Sequence, residues 1–473
     1  MSLAVLLHWL AGFAFQIAAT VNVADFGARA DGKTDLSPAL QRAYDALPPT
    51  GGRIQIPAAR GEYVVVASKP TVRRPKVGLR ISKPNVFVEG VGGRPTIRMT
   101  GVTLDYLNSI DDVSASGRDV FTVFSFVLTD GGGVSNVRFV GEWNGEGRLR
   151  YQSPRAKAIA VIGSRGVRIR DVEGEGLLGN LVNANPAGQT VEPVHRWSEN
   201  VTVEDVQAVR CLENGVNFMG GTRNCVLRRA VLIGNGSCGA ESGGSGNNLR
   251  GLLCAGNGYA GVSLSQAGQT LEDSRLVANG TAERAEAGFG LVLQHSGHRV
   301  VGCDIRGNAH YGVYLYPGAT DILLQGCTVQ GNCVGPRSEA VAEVRLSEGA
   351  GAILQDCSIV GGGKWRTVRC RLEKSDDGWR LRPTEAGTDP AAWKAYEQTQ
   401  ARNVNPAYTL WLQEFDAGAG SFRCRVTSGN PTPGEATLAM GSRARYGVFA
   451  SAGASPTVLG GQPVGFTVPV LRQ

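Results

Sequence analysis

The sequence predicts an all-β protein whose chain coils as a parallel β-helix of about ten or more rungs. The first observation is the glycine content, because 66 of the 473 residues are glycine and no collagen-like period accompanies them. The second is an asparagine that recurs at steps of 22, 22, 29 and 24 residues between positions 235 and 332. Glycine and asparagine tolerate the left-handed backbone of tight corners, so this pattern indicates short strands joined by sharp turns.

The recurring asparagines set a register in which apolar residues fall into columns. These asparagines are Asn235, Asn257, Asn279, Asn308 and Asn332. Their alignment stacks Ala230, Leu252, Ser274, Cys303 and Cys327 in one column, and Leu232, Cys254, Leu276, Ile305 and Val329 in the next. Such columns require parallel strands about 4.8 Å apart, with side chains alternating between core and solvent. We expect the asparagines to point inward and to bond from rung to rung.

Four aspartates fall at one shared corner position of the repeat. They are Asp171, Asp205, Asp273 and Asp356. Aspartate at a corner commonly hydrogen-bonds its own backbone, so we interpret these residues as corner residues rather than as catalytic groups.

The cysteines indicate the cellular compartment in which the chain folds. Several of the ten cysteines lie in the inward columns, where a free thiol acts as a small buried apolar group. Free thiols are a hazard in an oxidising compartment, so we expect folding in a reducing cytoplasm even if the protein acts outside the cell.

The chain divides into four predicted segments. Residues 1–20 are an apolar leader, either a signal peptide or a retained N-terminal helix. Residues 21–84 form an N-terminal cap, and residues 85–361 form the β-helix. Residues 362–473 form a small β-rich domain that serves either trimerisation or carbohydrate binding.

A helix and a strand follow one another in the cap. Ser37 is placed as the N-cap of an amphipathic helix with Pro38 in its first turn. This helix would cover the open end of the coil, where core and strand edges are otherwise exposed.

The segment 21–63 carries a motif that runs V-x-D-F-G-A-x-x-D-G-x-x-D, then a helix, then a strand ending in Pro and a G-x-Y. The matching residues are Val23, Asp25, Phe26, Gly27, Ala28, Asp31, Gly32, Asp35, Pro57, Gly61 and Tyr63. Over residues 21–361 the chain resembles the pectate-lyase superfamily of right-handed parallel β-helix proteins. That family includes polysaccharide lyases, glycoside hydrolases, epimerases and phage tailspike proteins. The resemblance implies a right-handed coil, and its opening motif does not choose among these activities.

Charge and hydropathy restrict the partners. The formal net charge is +7, and 40 of the 48 basic residues are arginine, which binds carboxylates bidentately. An acidic polysaccharide is one explanation, and a GC-rich genome is the other. The basic residues are scattered without interleaved aromatics, so nucleic acid is not an expected partner. Beyond residue 20 the apolar windows are too short for an integral membrane protein.

One outward column after the asparagines provides the candidate site. Glu241 and His295 are the catalytic candidates, with His310 as an alternative. The substrate-binding candidates are Asn217, Gln294, Tyr314, Tyr316 and Arg345. Rings can stack on sugar faces while polar groups bond hydroxyls, although an ordinary solvated face of a coil would have a similar composition. The sequence contains no zinc spacing or phosphate-binding loop, so we predict no metal and no cofactor.

Three functions remain open at the sequence level. The first is a tailspike-like protein of a phage or phage-like particle that binds, and cuts, a bacterial surface or other acidic polysaccharide. The second is a secreted polysaccharide lyase or glycoside hydrolase, and the third is a non-catalytic receptor-binding spike or adhesin. In each case the protein is extracellular, either particle-borne or secreted. A homotrimer is expected by analogy with tailspikes.

Overall fold

The computed structural model describes residues 19–71, 74–110, 119–147, 155–187, 196–280, 287–333, 343–347, 350–360, 365–375, 378–383, 408–416, 421–428, 433–441, 457–460 and 466–470. The predicted leader therefore lies almost wholly outside the described residues. Strands are numbered β1 to β38 in chain order. No helix in these ranges is long and apolar enough to cross a membrane.

Two long parallel sheets build the coil. The larger sheet has twenty strands. They are β1 Thr20–Asn22, β2 Gly52–Pro57, β3 Tyr63–Val66, β5 Val86–Val91, β6 Thr96–Thr100, β8 Gly133–Val140, β10 Arg168–Glu175, β13 Thr202–Val209, β16 Val226–Ile233, β18 Asn248–Arg250, β19 Leu253–Ala255, β21 Thr270–Glu272, β22 Arg275–Val277, β24 Arg299–Val301, β25 Asp304–Arg306, β27 Ile322–Gln325, β28 Thr328–Gln330, β30 Gly351–Gln355, β31 Ser358–Val360 and β37 Thr457–Gly460.

The second sheet has ten strands and lies on the other side of the core. They are β4 Lys76–Ile81, β7 Asp119–Val127, β9 Arg155–Ile162, β11 Val182–Asn185, β14 Val216–Phe218, β17 Cys238–Ser242, β20 Ala260–Leu264, β23 Phe289–Leu293, β26 Val313–Leu315 and β29 Val344–Leu346. Strands β12 Ser198–Glu199 and β15 Thr222–Arg223 form a small parallel pair.

The C-terminal strands form a separate antiparallel unit. Six of them close into a barrel in the order β32, β33, β35, β34, β38 and β36. Their bounds are β32 Trp365–Ser375, β33 Gly378–Pro383, β34 Tyr408–Asp416, β35 Ser421–Ser428, β36 Gly434–Gly441 and β38 Phe466–Val470. The barrel consists of these six described strands, while β37 pairs antiparallel with β30 at the end of the coil.

The predicted register is confirmed in both inward columns. Leu232 on β16 pairs with Cys254 on β19, which pairs in turn with Leu276 on β22. All ten members of the two columns are buried. Each rung therefore places its small apolar groups directly on those of the rung before, which forms one continuous core.

The five asparagines form the expected inward ladder. Asn257 donates from its backbone N–H and from Nδ2 to Oδ1 of Asn279, at 3.1 and 2.9 Å. Asn279 donates in the same way to Asn308, and the ladder ends where Asn332 donates to the buried carboxylate of Glu343. The ladder satisfies backbone groups at a corner that would otherwise be unpaired inside the protein.

The structure confirms the corner backbone conformation of the aspartates but not the predicted hydrogen bonds to their own backbone. Asp171, Asp205, Asp273 and Asp356 have φ values of 53°, 54°, 47° and 53°. The carboxylates of the first three pair with arginines, as where Asp205 contacts Nε of Arg229 at 2.6 Å, rather than with their own backbone. A guanidinium within reach is a charged donor, and its bond to a carboxylate is stronger than that of a neutral backbone N–H.

The N-terminal helix α1 spans Ser37–Ala46 and packs on β1, β2 and β4. Ser37 is its first helical residue and not its N-cap, because Leu36 holds the N-cap position. The carboxylate of Asp35 instead accepts from the Ser37 N–H at 3.1 Å and from its hydroxyl at 2.8 Å. A second, short helix α2 spans Leu104–Ser109.

Candidate functional site

The outer face of the ten-stranded sheet carries one continuous row of side chains. In order along the coil axis the row contains Asn183, Asn217, Glu241, Ser263, Val292, Tyr314 and Arg345. The repeat predicts this row from Asn217 onward, and the strand register confirms it. The binding and catalytic roles assigned to its members remain predictions.

Glu241 lies in the amide-rich half of the row. Oε2 of Glu241 accepts from Nδ2 of Asn214 at 2.7 Å. Oδ1 of Asn214 accepts from the backbone N–H of Cys238 at 2.8 Å, and this bond fixes which end of the amide faces Glu241. Glu241 itself is half-buried, so one side of its carboxylate faces the outer surface.

Asn214 belongs to a group of five asparagines that is called the amide cluster. Its members are Asn180, Asn183, Asn185, Asn214 and Asn217. Nδ2 of Asn180 donates to Oδ1 of Asn183 at 3.3 Å, and Asn183 donates to Asn185 at 2.5 Å. Oδ1 of Asn217 is buried and finds no hydrogen-bond partner among the described residues. An unpaired buried acceptor costs about 1–3 kcal/mol, which marks Asn217 as a polar group beyond what the fold requires.

The other half of the row lies in an aromatic cluster. Its members are Tyr259, Phe289, His310, Tyr311, Tyr314 and Tyr316. Phe289 stacks on Tyr314 at a centroid distance of 5.2 Å, and Tyr314 contacts Tyr316 at 5.0 Å. The hydroxyls of Tyr259 and Tyr316 lie 3.3 Å apart. Tyr314 and Tyr316 are half-buried, so parts of their rings face solvent.

Arg345 closes the aromatic end. Its guanidinium carbon lies 5.2 Å from the ring centroid of Tyr311 and 5.7 Å from that of Tyr314. Its Nη1 donates to the Tyr311 hydroxyl at 2.6 Å. The rings hold the cation by the attraction of their negative faces.

Burial and the charge of Arg345 shift the pKa values of two members of the aromatic cluster. Burial, with a smaller contribution from Arg345, lowers the pKa of His310 from 6.5 to about 4. Burial raises the pKa of Tyr311, and Arg345 opposes that rise. His310 is therefore neutral at physiological pH, and Arg345 is the cation of this end of the row.

A shallow cleft of about 380 Å³ adjoins the aromatic cluster. Its lining residues are Ala267, Gln294, His295, Ser296, Tyr316, Pro317 and Gly318. The cleft thus brings together three predicted site residues, Gln294, His295 and Tyr316. His295 is exposed and has a left-handed backbone with φ of 62°.

The two catalytic candidates do not form one acid–base pair. His295 lies two strands beyond Glu241 and three residues past the row. Strand spacing and rise place them roughly 14 Å apart. Paired carboxyl groups in glycosidases lie about 5–9.5 Å apart, so Glu241 and His295 would have to act on different parts of a substrate.

Sequence reasoning missed most of the supporting residues. The amide cluster members other than Asn217, together with Tyr259, Phe289 and Tyr311, were not among the candidates. Asn180 and Asn214 each lie two residues before a strand rather than on it, and the period-2 pattern does not report such positions. Among the described residues no group of three His, Cys, Asp or Glu could hold a metal ion.

Comparisons with known proteins agree with this architecture. Residues 196–364 match the family model described as "Right handed beta helix region". Mannuronan C5-epimerase AlgE3 of Azotobacter vinelandii is 30% identical over 238 residues, or 46% of this chain, which covers 12% of that protein. The A-module of mannuronan C-5 epimerase AlgE4 from the same organism aligns with a TM-score of 0.50 and 19% identity, over 69% of this chain and 80% of the module. ORF18 of Geobacillus virus E2 aligns with a TM-score of 0.49 and 13% identity, over 97% of this chain and 79% of that one.

Parallel rungs, an inward asparagine ladder and the matched family model identify the coil as a right-handed parallel β-helix. This is the fold that the N-terminal motif, by its resemblance to the pectate-lyase superfamily, leads us to expect. The chain spans a small part of the length of the curated relative it matches.

Proposed function

We propose that the protein binds an acidic polysaccharide along the outer row of the ten-stranded sheet and modifies its uronate residues at Glu241. The observation that carries this proposal is the composition of the row, which contains three half-buried side chains: the held carboxylate of Glu241, the ring of Tyr314 and the guanidinium of Arg345. Aromatic rings bind the apolar faces of sugars, and amides and hydroxyls bind their hydroxyl groups.

The row favours proton abstraction over hydrolysis. Glu241 is the sole carboxylate in the row from Asn183 to Arg345, whereas hydrolysis requires two carboxyl groups that flank one bond. Removal of the C5 proton of a uronate requires one base, and the resulting carbanion then undergoes either elimination or reprotonation. The similarity to a protein named mannuronan C5-epimerase supports this class of reaction.

The test compares E241Q with the wild type on uronate polysaccharides. Solvent deuterium in the sugar reports C5 exchange, ultraviolet absorbance reports an unsaturated uronate, and new reducing ends without absorbance report hydrolysis. We expect E241Q to lose roughly a hundredfold or more of the rate while it still binds the polymer. E272Q on the opposite sheet removes the same charge and should keep full activity. Unchanged rates in both E241Q and H295A would refute this site.

A second proposal concerns where the protein acts. We infer a tailspike-like role on a phage or phage-like particle, because all nine described free cysteines are buried, which suits folding in a reducing compartment. The alternative is a secreted enzyme. Native material with an N-terminus processed after Ala19 would support secretion, whereas an intact N-terminus and a homotrimer in sedimentation would support the particle-borne form. Binding without any product would leave a receptor-binding spike.

A further inference from the structure

Arg345 differs from the arginines of the larger sheet in its charge balance. Most arginines on that sheet pair with acids, as in Arg228 with Glu204 at 2.6 Å and Arg138 with Glu175 at 2.7 Å. Arg345 is half-buried and forms no ion pair with any residue that the structure describes. His310, whose ring stacks on that of Tyr311, is neutral at physiological pH.

The donors of Arg345 are only partly used. Nη1 is bound to the Tyr311 hydroxyl, while Nε has no hydrogen-bond partner among the described residues. The two tyrosine rings hold the guanidinium plane, so little side-chain entropy remains to be lost on binding. A partly desolvated cation without an anion is costly, and a carboxylate that accepts two parallel bonds is the partner that best matches its fork.

Tyr314 supplies the second half of a sugar site. It lies in the same row as Arg345, one strand away, and its ring is half-buried. A pyranose ring could rest on this ring with a substituent pointing along the coil axis toward the guanidinium. A hexuronate carries a carboxylate on its ring, so one residue can make both contacts.

We propose that Arg345, Tyr311 and Tyr314 form an anchoring subsite for the carboxylate and ring of a hexuronate. This proposal rests on the proposed function, and it adds where along the coil axis the polymer is anchored relative to Glu241. Arg345 lies four strands from Glu241, roughly 19 Å at the spacing of parallel strands. The anchored sugar is therefore not the reacting sugar, and several sugar residues separate the two.

The first experiment measures binding by calorimetry. Its probes are oligogalacturonate and oligomannuronate, their carboxyl-reduced neutral counterparts, and a sulfated oligosaccharide. The wild type should prefer the uronates over the neutral forms, and R345Q should bind uronates roughly ten- to a hundredfold more weakly. R250Q on the opposite sheet makes the same charge change and should leave binding unchanged, and thermal unfolding should show both variants folded.

The second experiment follows His310 by NMR, because an anion on Arg345 would offset the positive charge beside the imidazole. Saturating glucuronate should raise the pKa of His310 in the wild type and not in R345Q. If the oligouronates are turned over, R345Q should raise KM far more than it changes kcat. Oligomers too short to reach from Glu241 to Arg345 should be poor substrates.

Equal loss in R345Q and R250Q, equal wild-type affinity for charged and neutral sugars, or tighter binding of the sulfated probe would overturn the uronate subsite. Each of these results leaves polysaccharide binding itself intact. Failure of the wild type to bind any saccharide would overturn the proposed function as well, so the two failures are distinguishable.

Discussion

Two charged side chains that lie four strands apart in one row account for the proposed chemistry. Glu241 is held by an amide that is itself fixed by a backbone N–H, so its carboxylate has one preferred orientation. Arg345 is held by two rings. Because these side chains are positioned by neighbours rather than by loop tips, the row is pre-organised for an extended ligand.

His310 should make the protein less stable in acid. Its pKa is lowered from 6.5 to about 4 in the folded state, so the unfolded chain binds more protons between these values. The contribution of His310 is complete above pH 6.5 and is lost as the pH falls toward 4. The free energy of unfolding should therefore fall between pH 7 and pH 4, and we expect this fall to be about 3 kcal/mol smaller in H310Q than in the wild type. Urea unfolding at the two pH values provides the measurement.

The buried His298 also has a lowered pKa, so H310Q should keep part of the pH dependence. Identical acid-induced losses in H310Q and the wild type would contradict the assignment.

At the scale of elements, the asparagine ladder links five rungs through aligned amides. From Asn257 to Asn332, each Oδ1 accepts from the asparagine of the preceding rung, so these amide dipoles point the same way. At the end of the ladder, the N–H of Asn332 donates to the carboxylate of Glu343. A negative charge at this end stabilises the aligned N–H donors. The ladder therefore has a direction and a defined end.

Removal of one rung of the ladder should be costly. In N279A the backbone N–H and Nδ2 of Asn257 lose their shared acceptor inside the core. Two buried unpaired donors predict a loss of about 2–5 kcal/mol in the free energy of unfolding. Denaturant titration provides the measurement.

The matched change on the outer side of a strand is N248A. Asn248 is half-buried on β18, and its replacement should cost no more than about 0.5 kcal/mol. Equal costs for N279A and N248A would mean that the ladder contributes nothing particular to stability.

At the scale of the whole molecule, the thiols report the integrity of the coil. Burial raises the pKa of Cys211 to about 12 and that of Cys225 to about 11. The nine described free thiols are all buried. We expect a thiol reagent at pH 8 to label the native protein only slowly, whereas all ten cysteines should react at once in denaturant.

Colorimetric thiol counting with and without denaturant checks this expectation. Labelling of several cysteines within seconds in the native protein would contradict a closed core. Mass spectrometry of the labelled peptides would then show which rungs open.

The repeat made much of the coil predictable. Gly and Asn spacing locates the corners, and period-2 apolar residues locate the inward columns, because both follow from local backbone sterics and strand geometry. The same register predicts the outward row from Asn217 to Arg345. The N-cap at Ser37 and the self-bonded aspartates were wrong, since Asp35 and the corner arginines outcompete those local bonds.

The sequence alone determined the β-helix, its ladder and the order of side chains along the outer row, because these depend on residues that repeat at a fixed interval. Only the tertiary structure decided which groups meet across rungs: the amide cluster beside Glu241, the stacked rings beneath Arg345, and the wide separation of Glu241 from His295. Those contacts join positions 20 to 60 residues apart whose side-chain directions are set by packing, and packing is not written in any local pattern.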